Sequence, residues 1–169
     1  MNDLQEIYQS YANEIKAFLM CLTRNEDLSE ELTQETFYQA VKSIRRYNGQ
    51  CKMTVWLCQI AKHCYYDYLK KAKYRQHDSI EQLTQLGVEF DSQQALPETT
   101  FLRQQTTKEI QLEIDSLGEP YREVFLLRIT LEMSFREIAQ IFEKNENWAR
   151  VTYYRAKCKL AERMKAYEV

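Results

Sequence analysis

Arg150, Arg155, Lys157, Lys159 and Arg163 fall within one stretch of helical periodicity, residues 146 to about 165. Cations of this kind do two sorts of chemistry on a polyanion. They neutralise phosphates, and a guanidinium can also pair bidentately with the edge of a guanine, worth roughly 1–3 kcal/mol of discrimination. A polar break at 143–146 precedes the stretch, and before it comes a short apolar-periodic segment with Ile138, Ala139 and Ile141. Two helices joined by a tight turn, the second basic, form the layout that places a helix in the major groove of DNA. Ala139 is the small residue that lets the two helices approach, with Ile138, Ile141 and Phe142 as the core beneath. Ser134 and Glu137 form a capping box for the first helix, and Asn145 can cap the second. Trp148, Val151, Tyr154 and Leu160 are expected to turn inward. Arg150, near the helix start, is expected to meet base edges. A solvated helix with i,i+4 charge pairs would use the same residues.

A second set of cations lies upstream. Net charge is only −2 over 169 residues, which excludes a uniformly basic nucleic-acid binder. The charge is zoned, however: −5 over residues 1–44, +7 over 45–75, −6 over 76–118 and +2 over 119–169. Two basic zones separated by an acidic middle suggest two polyanion-contacting surfaces.

Other chemistries find little support. There is no phosphate-binding glycine loop, no H-E-x-x-H and no nucleophile elbow, and His63 and His77 stand outside any evident triad. The five cysteines are odd in number and form no C-x-x-C pair, the pattern of reduced thiols. Cys51, Cys58, His63 and Cys64 are close in sequence, but a six-residue step between Cys58 and Cys64 is not helix spacing, so neither a metal nor another cofactor is expected. No apolar run is long enough to span a bilayer and no basic leader opens the chain, so a cytoplasmic protein without membrane insertion is expected.

The elements that would position these residues are helical. Gly 3 and Pro 2 leave few breaks. Ile7, Tyr11, Ile15, Phe18, Leu19 and Leu22 recur near every 3.6 residues. Asp27 and Glu30 have capping-box spacing ahead of Leu32, Phe37, Ala40 and Ile44. Thr54 can cap a third helix that buries Trp56, Leu57, Ile60, Ala61 and Cys64 and ends in Lys70, Lys71, Lys73 and Arg75. Residues 77–98 lose the period, apart from a short helical turn around 80–86. Such a segment is too long for a loop inside a compact domain and would reach roughly 25 Å as a random coil or roughly 75 Å extended. Beyond it, Ile110 and Ile114 mark a fourth helix, Gly118 breaks it, and Pro120 suits the first turn of a fifth. The fold class is therefore all-α: two small helical domains, 1–76 and 99–169, joined by a flexible linker at 77–98, the second with a helix-turn-helix.

REVFLLR at 122–128, SFREIAQIF at 134–142 and YRAKCKL at 154–160 resemble region 4 of bacterial sigma factors. Asp27-Leu28, ELTQETF at 31–37, Trp56-Leu57 and Ile60-Ala61-Lys62 resemble region 2 of the same sigma-70 family. Two such regions with only a linker between them resemble the extracytoplasmic-function, or group IV, subfamily. The resemblance implies a factor that binds core RNA polymerase and directs promoter recognition and transcription initiation. It implies docking on the polymerase clamp by Glu31, Gln34, Glu35 and Phe37. It implies melting of the minus-10 element by Asn48, Gln50, Lys52, Trp56, Lys62, His63, Lys70 and Lys71. A base flipped out there costs a few kcal/mol, which a pocket must offset. It implies reading of the minus-35 duplex by Asn147, Trp148, Arg150, Thr152, Arg155 and Lys159. Core polymerase and promoter DNA are the implied partners, and the family is often held inactive by an anti-sigma factor. The turn departs from the family pattern: Glu143 and Lys144 stand where a Gly and an apolar residue are usual, and His63 where Asn is common. The competing reading is a stand-alone helix-turn-helix regulator binding an operator as a dimer, which leaves the acidic helix and the first basic zone without a role.

Overall fold

The computed structural model describes residues 2–83 and 98–165, and the side chains of 5–75 and 107–165. The chain is all-α, with seven helices and no strand among the described residues. Helices α1 (Asn2–Thr23), α2 (Glu26–Ser43) and α3 (Met53–Leu83) form one unit. Helices α4 (Glu98–Asp115), α5 (Tyr121–Thr130), α6 (Phe135–Phe142) and α7 (Glu146–Met164) form the second. The helix α3 continues through Leu83, past the expected boundary at 77, and the rest of the expected linker lies outside the described residues.

The first core is built from Ile15, Phe18 and Leu19 on α1, Leu32, Phe37 and Ala40 on α2, and Val55, Leu57, Cys58 and Ala61 on α3. Burying each large aliphatic side chain there stabilises by about 1.5–3 kcal/mol. Ser29, Thr33 and Thr36 are buried on the same side of α2. Their hydroxyls donate to carbonyls one turn back, 2.6 Å for Thr33 to Ser29 and 2.7 Å for Thr36 to Leu32, which removes the penalty of a buried unpaired hydroxyl.

Two of the expected helix starts shift. The cap of α2 is Asn25, whose Oδ1 accepts from Leu28 N at 2.9 Å, and not Asp27. The preceding helix stops at Arg24, which adopts φ 55°, so the next begins two residues earlier than the Asp27–Glu30 spacing suggests. The start of α3 is likewise Met53, which puts Thr54 inside the first turn.

In the second unit the local rules hold. Ser134 Oγ accepts from Glu137 N at 3.2 Å while Glu137 Oε2 accepts from Ser134 N at 2.8 Å, and Asn145 Oδ1 accepts from Trp148 N at 2.8 Å. The turn between α6 and α7 needs a left-handed residue, and Glu143 supplies it at φ 55°, ψ 42°. Lys144 N then reaches Ala139 O at 2.9 Å. A residue with a Cβ is strained in that conformation and glycine is not. Glu143→Gly should therefore raise the stability of the chain by about 1 kcal/mol, read as a higher midpoint in denaturant, whereas Glu143→Val should lower it by a similar amount.

The inward face of α7 is not the expected one. Ala149, Thr152 and Ala156 are buried, with Trp148, Tyr153 and Leu160 half-buried beside them. Val151 and Tyr154, expected inside, are 37% and 54% exposed. Small side chains at 149, 152 and 156 let α7 lie close to α5 and α6, and that close approach selects the buried face over the larger apolar residues.

The two units pack on each other through α1 with α5 and α3 with α6. Arg122 Nη2 donates to Leu22 O at 2.6 Å, Gln59 Nε2 donates to Gln140 O at 2.8 Å, and Arg24 pairs with Asp115 at 3.2 Å.

Candidate nucleic-acid interface

On α7 the polar side chains suited to DNA are Asn147, Arg150, Arg155 and Lys159, all exposed. Arg150 is held by Glu146 one turn back, Nη2 to Oε1 2.8 Å, and its guanidinium lies 5.6 Å from the Phe135 ring centroid. That tether sets where the guanidinium projects from the start of the helix. Trp148 is half-buried, its ring 5.2 Å from that of Phe142, so it packs the turn rather than offering a free ring. Thr152, expected among the DNA contacts, is only 5% exposed and belongs to the α7 packing face. A groove of about 330 Å³ runs beside the helix start, lined by Tyr121, Asn145, Asn147, Val151 and Arg155 among others. Val151 and Tyr154 were missed as members of this face. The alternation of small and large residues along α7, Ala149 and Ala156 against Val151 and Tyr154, was the signal that could have found them.

In the first unit the loop between α2 and α3 presents Asn48, Gln50 and Lys52, all exposed. It is a built turn: Asn48 Oδ1 accepts from Gln50 N at 3.1 Å, the Tyr47 hydroxyl donates to Cys51 O at 2.7 Å, and Gly49 takes φ 72°, where a side chain would be strained. Trp56 is half-buried under this loop, its ring 5.1 Å from that of Tyr47. It also lines a small apolar pocket of about 200 Å³ with Ile7, Phe37 and Ile44, so its indole supports the loop.

The loop and the basic helix meet the second unit. Lys52 Nζ pairs with Glu137 Oε1 at 2.7 Å, and this contact raises the ammonium's pKa and lowers the carboxyl's. Lys62 Nζ lies 3.7 Å over the Phe142 ring centroid. His63, Lys70 and Lys71 are exposed along α3. His63, Lys71 and Arg75, with Asp67, line the α3 side of an open cleft of about 1210 Å³, and Asp27, Glu31 and Glu35, with Lys42, line its α2 side.

Glu31, Gln34 and Glu35 are exposed on one face of α2, and Gln39 Nε2 donates to Glu35 Oε1 at 2.6 Å. Phe37 is not on that face. Its ring is 8% exposed and meets Tyr8 edge-on at 4.8 Å, because the register that turns 33, 36, 37 and 40 inward leaves 31, 34, 35 and 38 outside. The surface aromatic there is Tyr38, with Lys42 Nζ 4.2 Å from its ring centroid. Among the described residues no group of three or more His, Cys, Asp or Glu side chains is placed to hold a metal. Cys58 is buried among apolar side chains, which pushes its thiol well above the usual range and leaves it inert at neutral pH. No helix of the described residues is long and apolar enough to cross a membrane.

The same two stretches match known families. Residues 7–75 match Sigma-70 region 2, and residues 107–160 match Sigma-70, region 4. The chain is 30% identical over 161 residues to the ECF RNA polymerase sigma factor SigM of Bacillus subtilis (strain 168), covering 93% of this chain and 92% of that one. It is 25% identical over 166 residues to the RNA polymerase sigma factor YlaC of the same organism, covering 96% and 92%. In fold it is similar to the sigma factor RpoE of Bartonella quintana, solved with the anti-sigma factor NepR, at TM-score 0.74, 19% identity and 98% of each chain. It is also similar to CnrH, solved with the cytosolic domain of CnrY, at TM-score 0.68 and 15% identity, covering 96% of this chain and 88% of that one. Family matches over most of the chain and 30% identity to SigM over nearly its whole length, on a region 2 followed by a region 4 with a capped helix-turn-helix, make this chain a member of the extracytoplasmic-function sigma factors of the sigma-70 family, which recognise promoters for RNA polymerase.

Proposed function

We propose that the chain divides promoter recognition between its two units in the following way. The exposed acidic face of α2, Glu31, Gln34 and Glu35, with Tyr38 in place of Phe37, docks on a basic helical surface of core polymerase. The loop with Asn48, Gln50 and Lys52 receives the flipped base of the minus-10 element. His63, Lys70 and Lys71, with Lys62, hold the backbone of the opened strands. The helix α7 reads the minus-35 duplex with Asn147, Arg150 and Arg155, and Lys159 contacts phosphate. The chain acts as an exchangeable, non-catalytic subunit in the cytoplasm. The sigma factor RpoE, similar in fold and solved with the anti-sigma factor NepR, supports a partner of that kind here. The observation that carries this division is the solvent exposure of Asn48, Gln50 and Lys52 in the loop and of the polar side chains of α7, each on a separately matched region.

Lys52 and Lys62 are engaged by Glu137 and Phe142 of the second unit. They must exchange those partners for DNA, so the two units separate when the promoter is gripped at both elements.

Retention on core RNA polymerase and run-off transcription from a cognate promoter test this reading. The wild-type chain should be retained and direct specific run-off. Glu31→Lys/Glu35→Lys places like charge against a basic partner and should lower core affinity by about tenfold or more, with an unchanged circular dichroism spectrum. A palindromic operator footprint without polymerase, and no core complex, would support the stand-alone regulator instead.

A further inference from the structure

The outward face of α7 is not uniformly polar. Asn147, Val151, Tyr154 and Arg155 lie at steps of four, seven and eight, one above another on the helix, opposite the buried Ala149, Thr152 and Ala156. Val151 sits at the centre of this face, 37% exposed, between an amide before it and a guanidinium after it. It also lines the groove with Asn147, Arg155 and Tyr121. Tyr154 leans on Phe135, rings 6.3 Å apart, and keeps more than half its surface outside. Arg150, on the flank, is tethered to Glu146. Scattered exposed apolar residues are ordinary. Here, however, the aliphatic one stands in the first turns of a helix whose start meets base edges, and polar groups that favour DNA flank it on both sides.

The major groove offers one methyl group to such a side chain, the C5-methyl of thymine; cytosine and uracil carry only a hydrogen at C5, and the other groups that distinguish base pairs there are hydrogen-bond donors and acceptors. We propose that Val151 is a specificity-determining residue that reads the methyl group of one thymine in the minus-35 duplex, with the Tyr154 ring closing the side of the contact. This rests on the reading that α7 enters the major groove. It adds a discrimination that hydrogen bonds do not supply. Val151 makes thymine preferred over cytosine and over uracil at one position, while Asn147, Arg150 and Arg155 set the register around it.

The methyl itself can be removed without touching the protein. The probe is a fluorescent promoter duplex, selected from a random library by the reconstituted holoenzyme, with each minus-35 thymine replaced singly by deoxyuridine. Burial of about one methyl group corresponds to about fourfold in affinity. At one position deoxyuridine should therefore weaken wild-type holoenzyme by about fourfold. With Val151→Ala, thymine and deoxyuridine at that position should bind alike, while deoxyuridine elsewhere has the same effect as with wild type. Val151 is on the exposed side of α7, and alanine is a good helix former, so circular dichroism and the midpoint in denaturant should show the variant folded. Equal binding of thymine and deoxyuridine at every position, a selected element without thymine, or discrimination that persists in Val151→Ala would each overturn the assignment. Failure of the underlying reading looks different. In that case Asn147→Ala and Arg155→Ala would also leave binding unchanged, and a scrambled minus-35 element would bind as well as the selected one.

Discussion

Arg122→Ala should destabilise the folded chain by about 3 kcal/mol, one of the largest single-site losses expected outside the apolar cores. The residue stands in the first turn of α5, yet most of its work is done on α1. Its Nη2 donates to Leu22 O at 2.6 Å and approaches Cys21 O at 3.5 Å. The last carbonyls of a helix have no partner within it and carry the negative end of its dipole, so a guanidinium is well matched to them. The same group lies 3.3 Å from Asp115 and 3.3 Å from Glu119. Removing it leaves carbonyls without a donor, and leaves Asp115, Glu119 and the buried Glu123 with less compensating charge. Arg122→Lys keeps the charge but not the fork that spans α1 and Asp115, so it should recover less than half of the loss. Denaturant midpoints of the three proteins measure this. Hydrogen exchange at Arg24 N, bonded to Met20 O at 3.0 Å, should accelerate in the alanine variant if the contact is lost where stated. A midpoint unchanged within error would show that the α1 carbonyls are satisfied some other way.

The residues of that contact lie beyond what local sequence encodes. The helices, the Ser134–Glu137 box and the Asn145 cap were legible because each depends on residues within one or two turns. The α2 cap was misplaced because Asn25 and Asp27 offer the same short side chain, and the choice is made by where α1 ends, at a left-handed Arg24. Thr152 and Phe37, which the resemblance implies as contacts, are buried, while Val151 and Tyr154, expected inside, are exposed. In both helices hydrophobicity alone does not decide the inward face. Close approach to neighbours favours Ala149, Thr152 and Ala156, and the hydroxyls of Thr33 and Thr36 go inside because they bond back to their own helix. The pairing of Lys52 with Glu137, and of Arg122 with Leu22, joins residues 85 and 100 apart in a chain whose two halves each satisfy their own periodicity. No local pattern encodes such a contact, so the sequence left open how the two units lie against each other.

Glu123, one residue beyond Arg122, should behave in the opposite sense: Glu123→Gln should stabilise the chain, and the gain should depend on pH. The carboxyl is 1% exposed, and its Oε1 finds no hydrogen-bond donor among the described residues. The Tyr66 hydroxyl bonds to it, Lys62 from α3 and Arg122 from its own helix offer partial compensation, and Glu119 opposes it with like charge. Burial first, and Glu119 second, push its pKa from 4.5 up to about 7. A carboxyl with a raised folded-state pKa contributes fully only while it is protonated in both states. Below about pH 4.5 the wild type and Glu123→Gln should therefore be nearly equal in stability. Between that pH and about 7 the unfolded state releases a proton that the folded state keeps, so the wild type loses stability at about 1.4 kcal/mol per pH unit. Above pH 7 the difference should level off at about 3 kcal/mol in favour of the variant. Denaturant midpoints of both proteins from pH 4 to pH 8 give the difference directly, and other titrating groups cancel in it. A difference that is constant with pH would mean that the carboxyl ionises in the folded chain as easily as in water. The two predictions also interact. Much of what Arg122 does is to offset negative charge at Glu123, so Arg122→Ala should cost less in the Glu123→Gln background at pH 8 than in wild type, and the two backgrounds should converge at pH 4.5 where Glu123 is neutral.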